Sequence, residues 1–98
     1  MMKTKQMAAI LGCLGQPTRL EVLKLLAQVS KDPTAPGMPA GEIAAALRLA
    51  PPTLSFHLKD MTLRGLLKQQ RRGRVVYYRA ELDLLLETLA QVVGLLEK

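Results

Sequence analysis

Cysteine, histidine and aromatic residues are scarce in this sequence of 98 residues. It holds one cysteine, one histidine, two tyrosines, one phenylalanine and no tryptophan. A single cysteine excludes a disulfide within the chain and fits a reducing compartment, so we expect a cytoplasmic protein. So few aromatic rings argue against a stacking platform for single-stranded nucleic acid. The sequence shows no Ser/His/Asp or Cys/His set, and we therefore expect no enzyme.

Long apolar runs are missing as well. No run reaches the roughly 18 residues of a membrane-spanning helix, and the first residues lack the pattern of a signal peptide, so we expect no membrane partner. Hydrophobic residues nevertheless make up 49% of the chain, which is high for the modest core that a chain of this length can bury. We predict a single domain over residues 1–98, with apolar surface left over for a second subunit.

Charge is unevenly distributed along the chain. Fourteen Lys and Arg outnumber eight Asp and Glu, which gives a net charge of +6. Seven of the fourteen basic residues lie between Lys59 and Arg79, where Asp60 is the only acid. Most charge clusters are simply solvated surface. This one coincides with the segments that would meet a duplex, and we therefore predict a nucleic-acid partner.

The stretch from Pro51 to Gly65 predicts a helix that two prolines open and a glycine ends. Leu54, Leu58 and Met61 recur at spacings of four and three residues and so share a buried face. The opposite face carries mostly short or polar side chains that can approach base edges. Phe56 either contacts a thymine methyl or packs against the preceding helix, and for His57 a base or phosphate contact is favoured. The predicted DNA-contacting residues of this helix are Pro52, Thr53, Ser55, Phe56, His57 and Lys59.

Two β-rich runs follow, Leu66–Gln70 and Arg74–Arg79, and they predict a hairpin over 66–79. The turn is centred on Arg71-Arg72-Gly73, with glycine where positive φ is needed. We expect Arg71, Arg72 and Arg74 to contact phosphates or the minor groove. A short helix at 41–47, followed by a turn at Arg48-Leu49-Ala50, completes a helix-turn-helix over 41–65. The layout is that of a winged helix-turn-helix that binds double-stranded DNA.

The remaining segments predict three more helices, so that the fold is mainly α with about five helices and two to three short strands. They run from Lys3 to Leu14, from Pro17 to about Val29 with Leu20, Leu23 and Leu26 inward, and from Glu81 to Glu97. A very short strand near Gly37–Pro39 has little support. The apolar stripe of the last helix is broader than one small domain needs, although it could merely cap its own core. We predict a homodimer built from residues 1–14 and 81–98, with Ile10, Leu14, Leu85, Leu89 and Val92 at the interface.

Four segments in this order resemble the ArsR/SmtB family of bacterial winged-helix repressors: GQPTRLEVLKLL (15–26), MPAGEIAAAL (38–47), PPTLSFHLKDMTLRGLL (51–67) and RRGRVVYYRA (71–80). The phrase TLSFHLK, followed by GLL and RGRVVYYRA, looks most like the arsenic-responsive branch. The resemblance implies a homodimeric repressor that binds a palindromic operator and releases it when an inducer binds. One departure is Arg48, because the resembling proteins commonly have glycine in that turn.

The ligand sites of the family are not matched by this sequence. Residues 41–47 lack the Cys-x-Cys motif of the soft-metal sensors, and Asp83 has no histidine near it to build the zinc site of other members. Cys13 is the one candidate metal ligand, although a small buried hydrophobe is the more ordinary role for it. No cofactor is required, and arsenite or another thiophilic metal(loid) is the inducer that the resemblance implies. The alternatives are a non-metal or redox signal, or a winged-helix protein-interaction module that binds no DNA.

Overall fold

The computed structural model describes residues 1–97, which form five helices and a three-stranded antiparallel sheet. The predicted fold class is confirmed, and no helix in this range is both long and apolar enough to cross a membrane. In chain order the elements are α1 (Thr4–Leu14), α2 (Pro17–Val29), β1 (Met38–Pro39), α3 (Ala40–Leu47), α4 (Pro51–Leu63), β2 (Leu67–Arg72), β3 (Val75–Ala80) and α5 (Leu82–Leu96).

The sheet is a hairpin with one short strand added to its edge. Its order is β1-β3-β2, and Met38 pairs with Tyr78. The hairpin closes at the pair of Arg72 and Val75, so that the loop is Gly73-Arg74 rather than the predicted Arg71-Arg72-Gly73. Gly73, the first residue of the loop, adopts a φ of 63°, a positive value that glycine accommodates at the first central position of a two-residue hairpin loop. Strand β2 is therefore one residue longer than predicted and includes both Arg71 and Arg72, whereas β3 has the predicted length and begins one residue later.

The core lies between α1, α2, α3, α4 and the start of β2. The buried face predicted for α4 is confirmed, because Leu54, Leu58 and Met61 are all at most 1% exposed. Leu20, predicted to point inward, is instead 53% exposed. The buried stripe of α2 runs through Arg19, Val22, Leu23 and Leu26, and position 20 lies about 100° around the helix from position 19.

The turn between α3 and α4 sets the angle of the helix-turn-helix. Arg48 has a φ of 55°, the left-handed conformation that often closes a helix. The N–H of Leu49 then donates to the carbonyl of Ala44 at 2.9 Å. Pro51 and Pro52 occupy the first turn of α4, where a missing N–H costs nothing. Beyond α4, Gly65 adopts a φ of 81° and directs the chain into β2.

Helix α5 packs on the core with one end and presents the rest of its apolar stripe to solvent. Leu82, Leu84 and Leu85 contact the core cluster, and Thr88 is fully buried. The N–H of Met2 donates to Oε1 of Gln91 at 2.7 Å, which ties the N-terminus to α5. The exposed large apolar residues of α5 are Leu86, Leu89, Val93, Leu95 and Leu96.

Candidate nucleic-acid interface

The exposed side of α4 forms a continuous polar surface. We use the term reading face for the exposed α4 residues Pro52, Thr53, Ser55, Phe56 and Lys59. Phe56 is the one large apolar side chain among them and is 67% exposed. Its ring is therefore mostly in solvent, as the predicted contact with a thymine methyl would need. The reading face therefore offers hydroxyls, a cation and an apolar ring, the groups that contact base edges, phosphates and thymine methyls.

The hairpin carries three exposed arginines at its tip. Arg71 and Arg72 end β2, and Arg74 lies in the loop. In residues 1–97 the salt bridges are Arg19–Asp60, Arg64–Asp60 and Lys68–Glu81, so the tip arginines have no carboxylate within 4 Å there. The cations of the wing tip are thus available to a polyanion, whose binding would release counterions from the duplex.

His57 does not lie on the reading face, and its predicted position there is wrong. Its side chain is only 9% exposed, and its Nδ1 accepts a hydrogen bond of 3.0 Å from Nε of Arg19. Burial and the nearby charge of Arg19 lower the pKa of His57 below its ordinary value of 6.5, although the Asp60 carboxylate acts in the opposite direction. A neutral, buried ring that already has a partner is a poor base contact, and we leave His57 out of the proposed DNA-contacting residues.

A buried polar cluster, not foreseen from the sequence, lies directly beneath the reading face. We call it the Arg19 cluster; it consists of Cys13, Arg19, His57 and Asp60. The guanidinium of Arg19, 3% exposed, also donates through one terminal nitrogen to Asp60 Oδ2. The same nitrogen lies 3.1 Å from the carbonyl oxygen of Cys13 and 3.3 Å from its Sγ. One side chain of α2 thereby holds both α1 and α4.

The charges of the Arg19 cluster balance one another. Burial alone would raise the pKa of Asp60, but the hydrogen bond and charge of Arg19 outweigh burial and lower it. A buried arginine without such a partner would be strongly destabilising. Two features of the sequence point to the pair in retrospect. Position 19 falls on the apolar stripe of α2, and Asp60 follows His57 by three residues on one face of α4.

Cys13 is a buried thiol rather than an open ligand. It is 5% exposed, and burial, reinforced by the Asp60 charge, raises its pKa above the ordinary value of 9.0. Metal ligation needs a thiolate, which these surroundings disfavour. Within residues 1–97 there is no group of three His, Cys, Asp or Glu side chains that could hold a metal ion.

The residues predicted for the dimer interface divide into two groups. Ile10 and Leu14 are buried in the chain's own core, at 6% and 8% exposure, so they have little surface to offer a partner. Leu85 and Val92 are partly buried. Leu89 is 44% exposed and lies beside Leu86 and Val93 on α5. The available apolar surface is therefore on α5 rather than in the interior of α1.

Comparison with known proteins agrees with this geometry. Residues 14–70 match the family model of a helix-turn-helix domain. An uncharacterized HTH-type transcriptional regulator of Methanocaldococcus jannaschii is 33% identical over 78 residues, which cover 80% of this chain and 81% of that protein.

Solved structures show the same architecture. The homodimeric winged helix-turn-helix DNA-binding domain of a possible ArsR-family regulator from Mycobacterium bovis superposes with a TM-score of 0.71 at 30% identity, covering 92% of this chain and 79% of that one. An ArsR-like transcriptional regulator from Rhodococcus sp. RHA1 has a TM-score of 0.80 at 23% identity, with coverages of 93% and 79%. The second likeness shows the fold alone.

Proposed function

Because the chain belongs to the ArsR-like winged helix-turn-helix family of transcriptional regulators, we propose that it is a homodimeric repressor of an operator in double-stranded DNA. The observation that carries this proposal is the combination of an exposed polar face on α4 with unpaired arginines at the tip of the neighbouring hairpin. A protein-interaction module would not need this alignment of cations with a helix that can enter a major groove. The repressor releases its operator when an inducer binds.

In this proposal α4 enters the major groove and the wing follows the adjacent backbone. Thr53 and Ser55 offer hydroxyls to base edges, while Phe56 offers its ring to a thymine methyl. Lys59 and the arginines Arg71, Arg72 and Arg74 neutralise phosphates or enter the minor groove, which supplies affinity without sequence preference.

The second subunit is proposed to pack on the exposed stripe of α5. Leu86, Leu89 and Val93 leave apolar area in water that a two-fold related copy of the same helix would cover. The relative from Mycobacterium bovis is described as a homodimer. A two-fold axis would place the two α4 helices about 34–36 Å apart, one turn of B-DNA, and the operator would be a palindrome.

The surroundings of Cys13 bear on the inducer. Arsenite or another soft metal(loid) would need thiolates, and the single thiol is buried, protonated and hydrogen-bonded to Arg19. This observation favours the alternative of a signal other than soft-metal coordination. We therefore propose that the inducer does not bind through Cys13.

The test compares two substitutions on a duplex that the wild-type protein selects from a random-sequence library. Arg72→Ala should weaken binding to the selected and to random duplexes about equally and reduce the slope of log affinity against log salt by about one. Ser55→Ala should leave that slope unchanged and reduce the preference for the selected duplex. Affinities are measured by fluorescence anisotropy at several salt concentrations.

Lys31→Ala is the matched control for Arg72→Ala. It removes one exposed cation next to Ser30 and Asp32, whose carbonyls contact Arg79 near the end of β3 that is remote from the tip. We expect it to bind as the wild type does. Selection of no duplex by the wild-type protein, or an equal effect of the Lys31 and Arg72 changes, would overturn the proposed interface.

A further inference from the structure

The hydrogen bonds of Arg19, a residue of α2, tie α4 to both α2 and α1. Its Nε–H donates to His57, and its terminal nitrogen donates to Asp60 and to the carbonyl of Cys13. Two of these partners lie on α4, one turn apart, and the third lies in the last turn of α1. The donors of a guanidinium are fixed in one plane, and Arg19 therefore constrains where α4 lies relative to α1 and α2, in addition to the apolar packing of α4 on the core.

The same guanidinium supports the exposed ring of the reading face. Its Cζ lies 5.8 Å from the centroid of the Phe56 ring, a distance at which a cation is attracted to an aromatic face. The His57 ring meets the Phe56 ring edge to face, with centroids 5.9 Å apart and an interplanar angle of 73°. Phe56 thus extends towards solvent from a base made of Arg19 and His57.

This arrangement is compatible with only one protonation state of His57. Nδ1 accepts from Arg19, so the neutral ring must carry its proton on Nε2. A second proton would make Nδ1 a donor facing the Arg19 donor and would bring two positive charges together. The charged or titratable groups around the ring are Arg19 from α2, Asp60 from α4 itself and, through Arg19, the Cys13 thiol of α1. Asp60 is already paired with Arg19, and a second proton, carried on Nδ1, would therefore have no acceptor.

We propose that Arg19 is a positioning residue for DNA recognition: acting through His57 and Asp60, it fixes α4 and the seat of Phe56, and protonation of His57 releases that hold and reduces sequence preference at acid pH. The proposal rests on the proposed function, because it assigns a role to residues that support the reading face. It concerns preference between duplexes rather than affinity for DNA in general. The wing arginines do not contact the cluster and should continue to bind phosphates.

The direction of the pH effect follows from the lowered pKa of His57. The folded arrangement holds the neutral ring, and the second proton is therefore taken up, with loss of the arrangement, as the pH falls below the lowered pKa of His57. A single linked proton changes the preference by up to about tenfold per pH unit below that point. Folding stability should fall over the same range, since the unfolded chain binds this proton more readily than the folded chain does. Preferences are therefore compared at pH values where circular dichroism shows each protein to be folded.

The decisive experiment measures the affinity ratio between the library-selected duplex and a random duplex from about pH 5 to 8 at constant ionic strength. The wild-type ratio should fall towards acid pH. His57→Asn places an amide oxygen near the position of Nδ1 without a titrating group, and its ratio should be independent of pH in this range. Arg19→Lys keeps the charge opposite Asp60 but loses the planar fork; its ratio should be low at every pH, with an unchanged salt slope. Lys24→Met, an exposed change on the same helix, is the control and should match the wild type.

The possible failures are distinguishable. If the wild-type protein selects no duplex, the proposed function falls and this inference falls with it. If it selects a duplex but the pH profiles of wild type and His57→Asn coincide, or if Arg19→Lys keeps the wild-type preference, the positioning role alone is overturned. Should Arg19→Lys fail to fold, the comparison of wild type with His57→Asn still decides, because His57→Asn retains the Arg19–Asp60 pair.

Discussion

Arg48 holds a backbone conformation that suits glycine better than arginine. Its φ of 55° is the only positive value among the non-glycine residues that the structure describes, and a Cβ in this region costs about 1–2 kcal/mol. Arg48→Gly should therefore stabilise the fold, although greater freedom of the unfolded chain offsets part of the gain. We expect a net increase of about 0.5–1 kcal/mol in the free energy of unfolding, measured by urea denaturation.

Arg64→Gly provides the opposite control for this prediction. Arg64 is also an exposed arginine at the end of a helix, but its φ is −81°, which any residue adopts, and glycine there should destabilise slightly. Its contact with Asp60 is long, at 3.9 Å, and exposed, so losing it should matter little. If both substitutions changed the free energy of unfolding equally, the positive φ of Arg48 would not be lowering the stability of the fold.

Sequence reasoning misjudged the buried polar residues of the site. The apolar period of α4 predicted Leu54, Leu58 and Met61 correctly, since apolar residues at that spacing have one favourable position. A histidine beside them has two favourable positions. It can lie in solvent, or it can lie in the interior if a hydrogen-bond partner is present there. That partner is Arg19, 38 positions earlier, and only the packing of α2 against α4 brings the two together. Periodicity within one element carries no such information.

Helix boundaries, in contrast, could be predicted to within one or two residues. Pro17 and Pro51 open α2 and α4, and Gly65 and Gly73 adopt the positive φ values that turn the chain. These residues limit the backbone locally, and the sequence alone is therefore sufficient. Strand β1 was hardly predictable, because two residues contain no periodicity and Met38–Pro39 becomes a strand only by pairing with β3.

The exposed stripe of α5 leads to a prediction about assembly. Leu89→Asp should weaken dimerisation by at least about thirtyfold, or ~2 kcal/mol, because each subunit would place a carboxylate in an apolar interface. The monomer should stay folded, since Leu89 is 44% exposed within its own chain. Sedimentation velocity over a concentration series measures the first effect, and thermal unfolding at low concentration checks the second.

Leu63→Asp controls for the substitution itself. Leu63 ends α4, outside the α5 stripe, and is 74% exposed, so its replacement should leave the sedimentation coefficient unchanged. A wild-type chain that sediments as a folded monomer at micromolar concentration would remove the proposed dimer. Loss of dimerisation in both variants would show that the interface is not confined to α5.

The assembled molecule limits what could act as its inducer. Each chain contains one cysteine, and a dimer would therefore contain two, whereas arsenite takes up to three thiolates. The two thiols would also lie in separate cores, because Cys13 is 5% exposed and contacts Arg19 of its own chain. Coordination would require opening both cores and deprotonating thiols whose pKa is raised by burial.

We therefore expect micromolar arsenite to leave the 98-residue protein bound to its selected duplex, because neither thiol can ligate without disrupting the Arg19 cluster. Cys13→Ser should behave in the same way, since the hydroxyl keeps a polar atom near Arg19 and removes the only sulfur nucleophile. The measurement is anisotropy of the labelled duplex during arsenite titration, with dithiothreitol reversal to identify thiol chemistry. Release from the wild type that Cys13→Ser abolishes would restore Cys13 as the sensor. Release that survives Cys13→Ser would contradict this prediction, because it would require an arsenite site that contains no cysteine sulfur.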